Sequence, residues 1–413
     1  MRERTPLTAW PPGARRPCPR LLPRTTRSMG GARMLDTEEL AQQAAESARG
    51  AEEARKLDPD VVKLLVEAGF ARHFVPRECG GTEGTFAELT EAVARVGAAC
   101  PATAWCASLA ANLGRMAAYL PAEGYREVWA QGPDALVVGS LSPFGKAAPA
   151  AGGWTVSGRW PYISAVAYAD WLLLCATLSD GAGPRVFAVP RDEVEVVESW
   201  ESVGMRATGS HTVVASDVFV PERRAFARAD LLTGRPTAST AACHTVLLEA
   251  ANGLSFAGPL LGAAEGALAQ WSAYAVVKAR SVLLRPQAPG PSREALAGVL
   301  AHSAGETDAA RLLLERCAQV ADLGAEVTLE QTRRNLRDTA LSVRMLASAV
   351  NRLAANGGTT GYGESAPLQR YWRDVNTSAT HVALQFESAA LAYAEGRLWT
   401  TETTQTSSPA AAR

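Results

Sequence analysis

Between residues 135 and 220 the apolar pattern of this chain changes period, and that switch limits the folds open to it. The stretch holds short β-rich runs, "ALVVGSL", "WTVSGRW", "DWLLLCATL", "RVFAVP", "VEVVESW" and "HTVVASDVFVP", punctuated by Gly, Pro, Asp or Ser. Runs of that kind predict an antiparallel sheet or barrel. The flanks read as helical, from 36 to about 131 and again from about 243 to 399. With 413 residues and 47% hydrophobic content the chain fills a large core in two or three sub-domains. The expected boundaries are a helical domain at 34–133, a β domain at 134–240 and a helical bundle at 241–400.

Local signals sharpen the helices. Asp36 with Glu39 has the spacing of a capping box. Asp58-Pro59 reads as an N-cap followed by a first-turn proline, with Gly69 closing that helix. "RECGGTEGT" (77–85) reads as a loop, and residues 223–241 as a polar linker. Further on, Leu336, Ala340, Val343, Leu346, Val350 and Leu353 share one helix face, which Gly357-Gly358 ends. Residues 251–271 carry Ala and Leu on more than one face. Such a helix needs burial all round, so it is expected to pack against partner subunits in a dimer of dimers.

Charge is uneven. Residues 1–33 hold eight arginines, six prolines and one acid, Glu3, so this head carries about +7 and, with the whole chain at −1, the rest about −8. An Arg/Pro-rich segment without apolar period is expected to be disordered and dispensable, with Met29 or Met34 as alternative starts; residues 401–413 read as a loose tail. The near-neutral balance gives no basic surface for nucleic acid. No run of 18 apolar residues predicts a membrane span. Seven scattered cysteines without C-x-x-C fit reduced thiols in a cytoplasmic protein. His73, His211, His244 and His302 show no metal-ligand spacing, so no metal is expected.

The string "SGRWPYISAVAYADWLLLCA" (157–176) sets Gly-Arg-Trp-Pro-Tyr-Ile-Ser just ahead of an apolar strand, as a packing motif or the wall of a cofactor site. Several strings in order decide between these. "AGFARHFVPRECGGTEG", "GRWPYISA", "SVGMRATGSHTVVASDVFVPERR" and "NGGTTGYGESAPLQRYWRD" resemble the acyl-CoA dehydrogenase fold over roughly residues 36–399. That fold is mainly α with a central β domain and a C-terminal four-helix bundle. Dehydrogenases of the family carry a glutamate base after the Arg-Asp; here Val382 stands there, with His381 before it. "CPATAWCASLAANLGRMAAYLPAEGYREVWAQGP", "GMRATGS" and "RDVNTSATH" instead resemble the two-component flavin monooxygenases of this fold. Many members have Ser-Gly where this chain has Ser164-Ala165, which implies a tighter flavin wall.

That resemblance implies reduced flavin (FADH2 or FMNH2) from a separate NAD(P)H:flavin reductase, with O2 as co-substrate. A flavin C4a-hydroperoxide then passes oxygen to an aromatic or polyketide-type small molecule of secondary metabolism. Apolar walls protect such an adduct from water, a role expected of Trp105, Trp160, Tyr162 and Phe386. Ser164 is expected to face flavin, with Trp160, Tyr162, Thr208 and Ser210 beside the cofactor and Arg280 on its pyrophosphate at a subunit boundary. Trp105, Asn112 and Phe386 are the expected substrate contacts. His381, expected on a helix face with Leu384 and Gln385, is the candidate base, taking a phenol or ammonium proton. Three alternatives stay open: an amino-sugar N-oxygenase of the same family, an acyl-CoA dehydrogenase with bound FAD, and a non-catalytic homologue.

Overall fold

The computed structural model describes residues 35–284, 290–395 and 397–398. The head at 1–33 and the tail at 401–413 lie outside the described residues. Five helices come first: α1 Glu38–Ala54, α2 Pro59–Glu67, α3 Phe86–Ala99, α4 Pro101–Ala117 and α5 Ala122–Val128. Seven strands follow: β1 Val137–Ala150, β2 Gly153–Ile163, β3 Trp171–Leu178, β4 Pro184–Pro190, β5 Glu195–Val197, β6 His211–Pro221 and β7 Ala225–Ala227. The rest is helical: α6 Arg228–Thr233, α7 Ala242–Thr245, α8 Leu248–Ala251, α9 Leu254–Leu284, α10 Arg293–Ala321, α11 Leu329–Ala355, α12 Gly358–Gly361, α13 Pro367–Ser378 and α14 Phe386–Ala394.

Helix starts follow the cap chemistry. Asp58 accepts the Asp60 N–H, with Pro59 at the first position of α2. The expected Asp36–Glu39 box does not form. Thr37 caps α1 with a near-helical backbone and no side-chain bond, one residue beyond Asp36. Reciprocal boxes sit instead at Thr85–Glu88 and Thr328–Gln331.

The sheet has the order β5-β6-β2-β1-β3-β4-β7. Its pairs are antiparallel except β1 with β3, which run parallel and correct the all-antiparallel expectation. The reason lies in the β1–β2 hairpin. β2 occupies one side of β1, so the next strand crosses to the free side and runs the same way as β1. β3 is buried on both faces, which explains its unbroken apolar run. Leu172, Leu174 and Ala176 join a core with Trp154, Trp160 and Phe187; Leu173 and Cys175 pack with Tyr119, Tyr125 and Trp129. The expected linker at 223–241 is partly structured: Phe226 of β7 pairs with Val186, and Leu231 of α6 is fully buried.

The oligomer argument from residues 251–271 fails on the fold. In α9 the residues from Leu254 to Ala264 are all buried within this one chain. Added Cβ atoms at Gly262 and Gly266 would lie 2.1 Å from the Ala94 carbonyl oxygen and 2.5 Å from that of Ala98. Glycine there brings α3 against α9, so the apolar faces are covered without a partner.

Candidate active site

A break in β1 opens the site. The strand pairs with β3 from Val137 to Ser140 and again from Gly145, and the register shifts between them. Such an irregularity re-aims side chains; Leu141, Ser142 and Phe144 line a cavity of about 880 Å³. Its volume lies toward the upper end of the roughly 300–1,000 Å³ range of ligand sites. α4 supplies Trp105, Leu109 and Asn112, the start of α9 supplies Ser255 and Phe256, and the segment after α13 supplies His381.

Four hydrogen-bonding groups form a chain along one wall. The Trp105 indole N–H donates to Ser164 Oγ at 3.1 Å. Ser164 Oγ lies 2.8 Å from Ser210 Oγ, which lies 2.7 Å from Thr208 Oγ1. Thr208 Oγ1 is 2.9 Å from the Met205 carbonyl oxygen, which also accepts the Trp200 indole N–H and the Thr208 amide. Each hydroxyl owns one proton, so the chain has two orders. If Thr208 donates to Met205, Ser210 donates to Thr208 and Ser164 to Ser210. If Thr208 turns its proton to Ser210, Ser210 serves Ser164, and the Ser164 proton is free for a ligand. The Met205 carbonyl keeps two donors either way.

His381 is not on a helix face, as expected, but N-caps a 3₁₀ turn, Val382–Leu384. Its ring stacks on Phe256 with centroids 3.9 Å apart and meets Trp105 edge-on at 5.8 Å. Burial lowers its pKa to about 4, so the ring is neutral near pH 7. Nδ1 accepts the Ala383 N–H at 3.2 Å, which puts the remaining proton on Nε2. That atom is therefore a donor in the resting ring.

Seven of the expected residues, Trp105, Asn112, Tyr162, Ser164, Thr208, Ser210 and His381, share the cavity wall. Tyr162 sits there 73% exposed at φ +64°, edge-on to Trp200. Three do not line the cavity. Trp160 is fully buried in the sheet core with its N–H on the Cys175 carbonyl at 2.7 Å. A Cβ at Gly145 would strike its indole at 2.2 Å, so that glycine makes room for the ring. Phe386 lies under the Arg344 guanidinium, 4.7 Å from its ring centroid, and ties α14 to α11. Arg280 is exposed on the distal half of α9. Ala165 also lies off the wall. Packed against the core at φ +56°, it carries backbone strain rather than a tighter flavin site.

Sequence reasoning missed Arg228, Ser255 and Trp200, each on an element whose pattern carried no motif. Arg228 is the sole Lys, Arg, Asp or Glu among the described residues lining the cavity. Ser255 is 2% exposed and its Oγ has no hydrogen-bond partner. Asn112 donates from Nδ2 to the Ser108 carbonyl at 2.8 Å, leaving Oδ1 as a free acceptor. Among the described residues no group of three His, Cys, Asp or Glu side chains is placed to hold a metal. Hydroxyl donors, a neutral imidazole and a strained aromatic rim around a large cavity fit a flavin ring with a small apolar ligand beside it.

The chain matches the family models for the acyl-CoA dehydrogenase N-terminal domain over residues 32–127 and C-terminal domain over 254–386. It is 32% identical over 362 residues to the oxygenase component of an FADH(2)-dependent resorcinol hydroxylase from Rhizobium sp. (strain MTP-10005), covering 83% of this chain and 88% of the relative. The 3-HSA hydroxylase of Rhodococcus sp. RHA1 superposes with TM-score 0.80 at 27% identity, over 86% of this chain and 94% of that one. XiaF from Streptomyces sp., solved in complex with FADH2 and glycerol, superposes with TM-score 0.77 at 27% identity, over 86% and 93%.

Proposed function

The chain belongs to the flavin-dependent monooxygenases built on the acyl-CoA dehydrogenase fold, as oxygenase components, and from that premise we propose that it hydroxylates a small aromatic molecule, with reduced flavin delivered by a separate reductase. The observation that carries this reading is the pairing of the Trp105–Ser164–Ser210–Thr208 chain with His381 Nε2–H on a cavity wall without a carboxylate. A dehydrogenase needs a base for the α-proton, and none of the described lining residues is Asp or Glu. An ammonium substrate would meet Arg228 as the only charged side chain among the described lining residues, which favours an aromatic substrate over an amino sugar.

Reduced flavin, when bound, supplies the electrons that activate O2 so that one oxygen atom reaches the substrate. The chain's residues orient and shield. Ser164 offers its proton to the flavin ring once the hydroxyl order reverses, with Ser210 and Thr208 behind it. His381 holds a donor toward ligand oxygen, and its stack on Phe256 fixes the ring plane. Trp105, Phe256, Leu109 and Met116 keep water from the reacting atoms. Arg280 is assigned to the flavin pyrophosphate of a second copy, with the exposed face of α9 around Val276 as the contact in a dimer of dimers.

The test couples the purified protein to an NAD(P)H:flavin reductase with resorcinol and other phenols under labelled O2. Label in a hydroxylated product supports the proposal. Reduction of bound FAD by an acyl-CoA, with no oxygenated product, overturns it in favour of a dehydrogenase.

A further inference from the structure

We propose that the part of the cavity between the β1 irregularity, α6 and α8 is a subsite for an anionic substituent, and that the aromatic substrate carries a carboxylate which Arg228 binds. The inference rests on the oxygenase reading above and adds the substrate's charge to it. Arg228 opens α6, and its Nε donates to the Leu141 carbonyl at 3.1 Å, within the stretch where β1 leaves its ladder with β3. That bond fixes the plane of the guanidinium. Its Nη atoms make no hydrogen bond or ion pair among the described residues, whereas Arg311, Arg316, Arg352 and Arg373 each pair with a carboxylate.

A half-buried cation on a cavity wall without a counter-charge is poorly compensated unless a ligand supplies the anion. A fixed guanidinium fork suits a planar carboxylate. The unpartnered Ser255 Oγ and the Asn112 Oδ1 add two more unfilled polar atoms to the cavity, and Leu109, Leu113, Met116 and Leu248 make apolar wall. A flat apolar body with one anionic end meets both kinds of surface.

The other source of an anion is the phosphate of the flavin itself. The experiment therefore titrates p-hydroxyphenylacetate and its neutral amide into the intact protein with reduced flavin, without O2, so that binding is read apart from turnover. The acid is expected to bind roughly tenfold or more tighter than the amide, the scale of a charge-assisted pair. That preference is expected to collapse toward one in Arg228→Met and Arg228→Gln, with melting curves checking that both fold. Equal affinities in the parent, no binding of either probe, or a preference that survives both substitutions overturns the subsite. So does a loss, in Arg228→Met, of the parent's discrimination between reduced FMN and reduced riboflavin, which reassigns the arginine to the flavin phosphate. If the acid binds through Arg228 but, once O2 is admitted, yields no hydroxylated product, the subsite stands and the hydroxylation proposed above falls.

Discussion

Asp374, on α13, accepts the backbone N–H of Met205, a residue 169 positions earlier that stands at φ +53°. A left-handed backbone costs a non-glycine residue about 1–2 kcal/mol, so this turn needs an external hold. Asp374 provides it, and Arg373 adds a second bond to the Val203 carbonyl at 2.5 Å. The turn carries Thr208 and Ser210, so the Arg-Asp pair reaches the cavity through the backbone it anchors.

Burial lifts the Asp374 carboxyl to about 6 from an ordinary value of 3.8. With its folded pKa raised, its contribution is fully present below about pH 3.8 and is lost as pH rises through about 6. Asp374→Asn keeps an acceptor for Met205 and removes the titration. Melting temperatures taken from about pH 4 to pH 7 should show the variant gaining on the parent as pH rises. A difference that stays flat would mean that the carboxyl titrates as it does in water.

Ser164 and Ser210 predict different phenotypes although their hydroxyls touch. Ser164→Ala removes the donor toward the flavin and leaves the Trp105 N–H without its acceptor. Product formed per reduced flavin is expected to fall on the order of tenfold or more, with H2O2 released in its place. Ser210→Ala removes the outlet for the Ser164 proton and a partner of Thr208 Oγ1, but leaves the Ser164 donor, so coupling stays near that of the parent. Peroxide and product yields measured side by side decide it; equal uncoupling in the two variants would assign the hydroxyls a packing role.

The helix–sheet–helix order, the Asp58 cap and seven residues of the cavity wall were legible because each leaves a mark in local pattern or in a contiguous string. The parallel β1–β3 pair left none, since strand direction depends on which side of β1 the preceding hairpin occupies. Trp160 misled for a related reason. Its string ends at the cavity, but the register of β2 shifts between Trp160 and Ile163, with Tyr162 at φ +64°, so the indole stays in the sheet core while Tyr162 and Ser164 reach the wall. Arg228 and Ser255 were silent because the cavity joins α6 and α9 to β1 through tertiary packing alone. Residues 251–271 read as an interface because composition reports how much surface needs burial, not which neighbour supplies it.

Ala165 gives a stability prediction that leaves the cavity wall in place. Its backbone is left-handed, and its N–H donates to the Thr208 carbonyl at 2.8 Å, joining the two turns that carry the hydroxyl chain. Ala165→Gly relieves the strain of a Cβ at that φ and loses a small packed methyl. The expected net gain is up to about 1 kcal/mol, seen as a higher melting temperature. Unchanged or lower stability would mean that the methyl contact outweighs the strain.

His381 predicts a pH profile as well as a rate. Burial takes its pKa down to about 4 from 6.5, so the fold favours the neutral ring. For a base lowered in the folded state, the sign is that stability is fully present above about pH 6.5 and is lost as pH falls through about 4. His381→Gln, which does not titrate, should be less sensitive to acid over that window. In catalysis the resting Nε2–H is a donor, so hydroxylation should show no inflection near pH 6.5 traceable to this ring. His381→Ala should slow oxygen transfer by roughly a hundredfold. His381→Gln, which returns an N–H donor, should recover part of that loss. An inflection near 6.5 that disappears in His381→Gln would instead make the ring a base, with its Nδ1 bond to Ala383 broken during turnover.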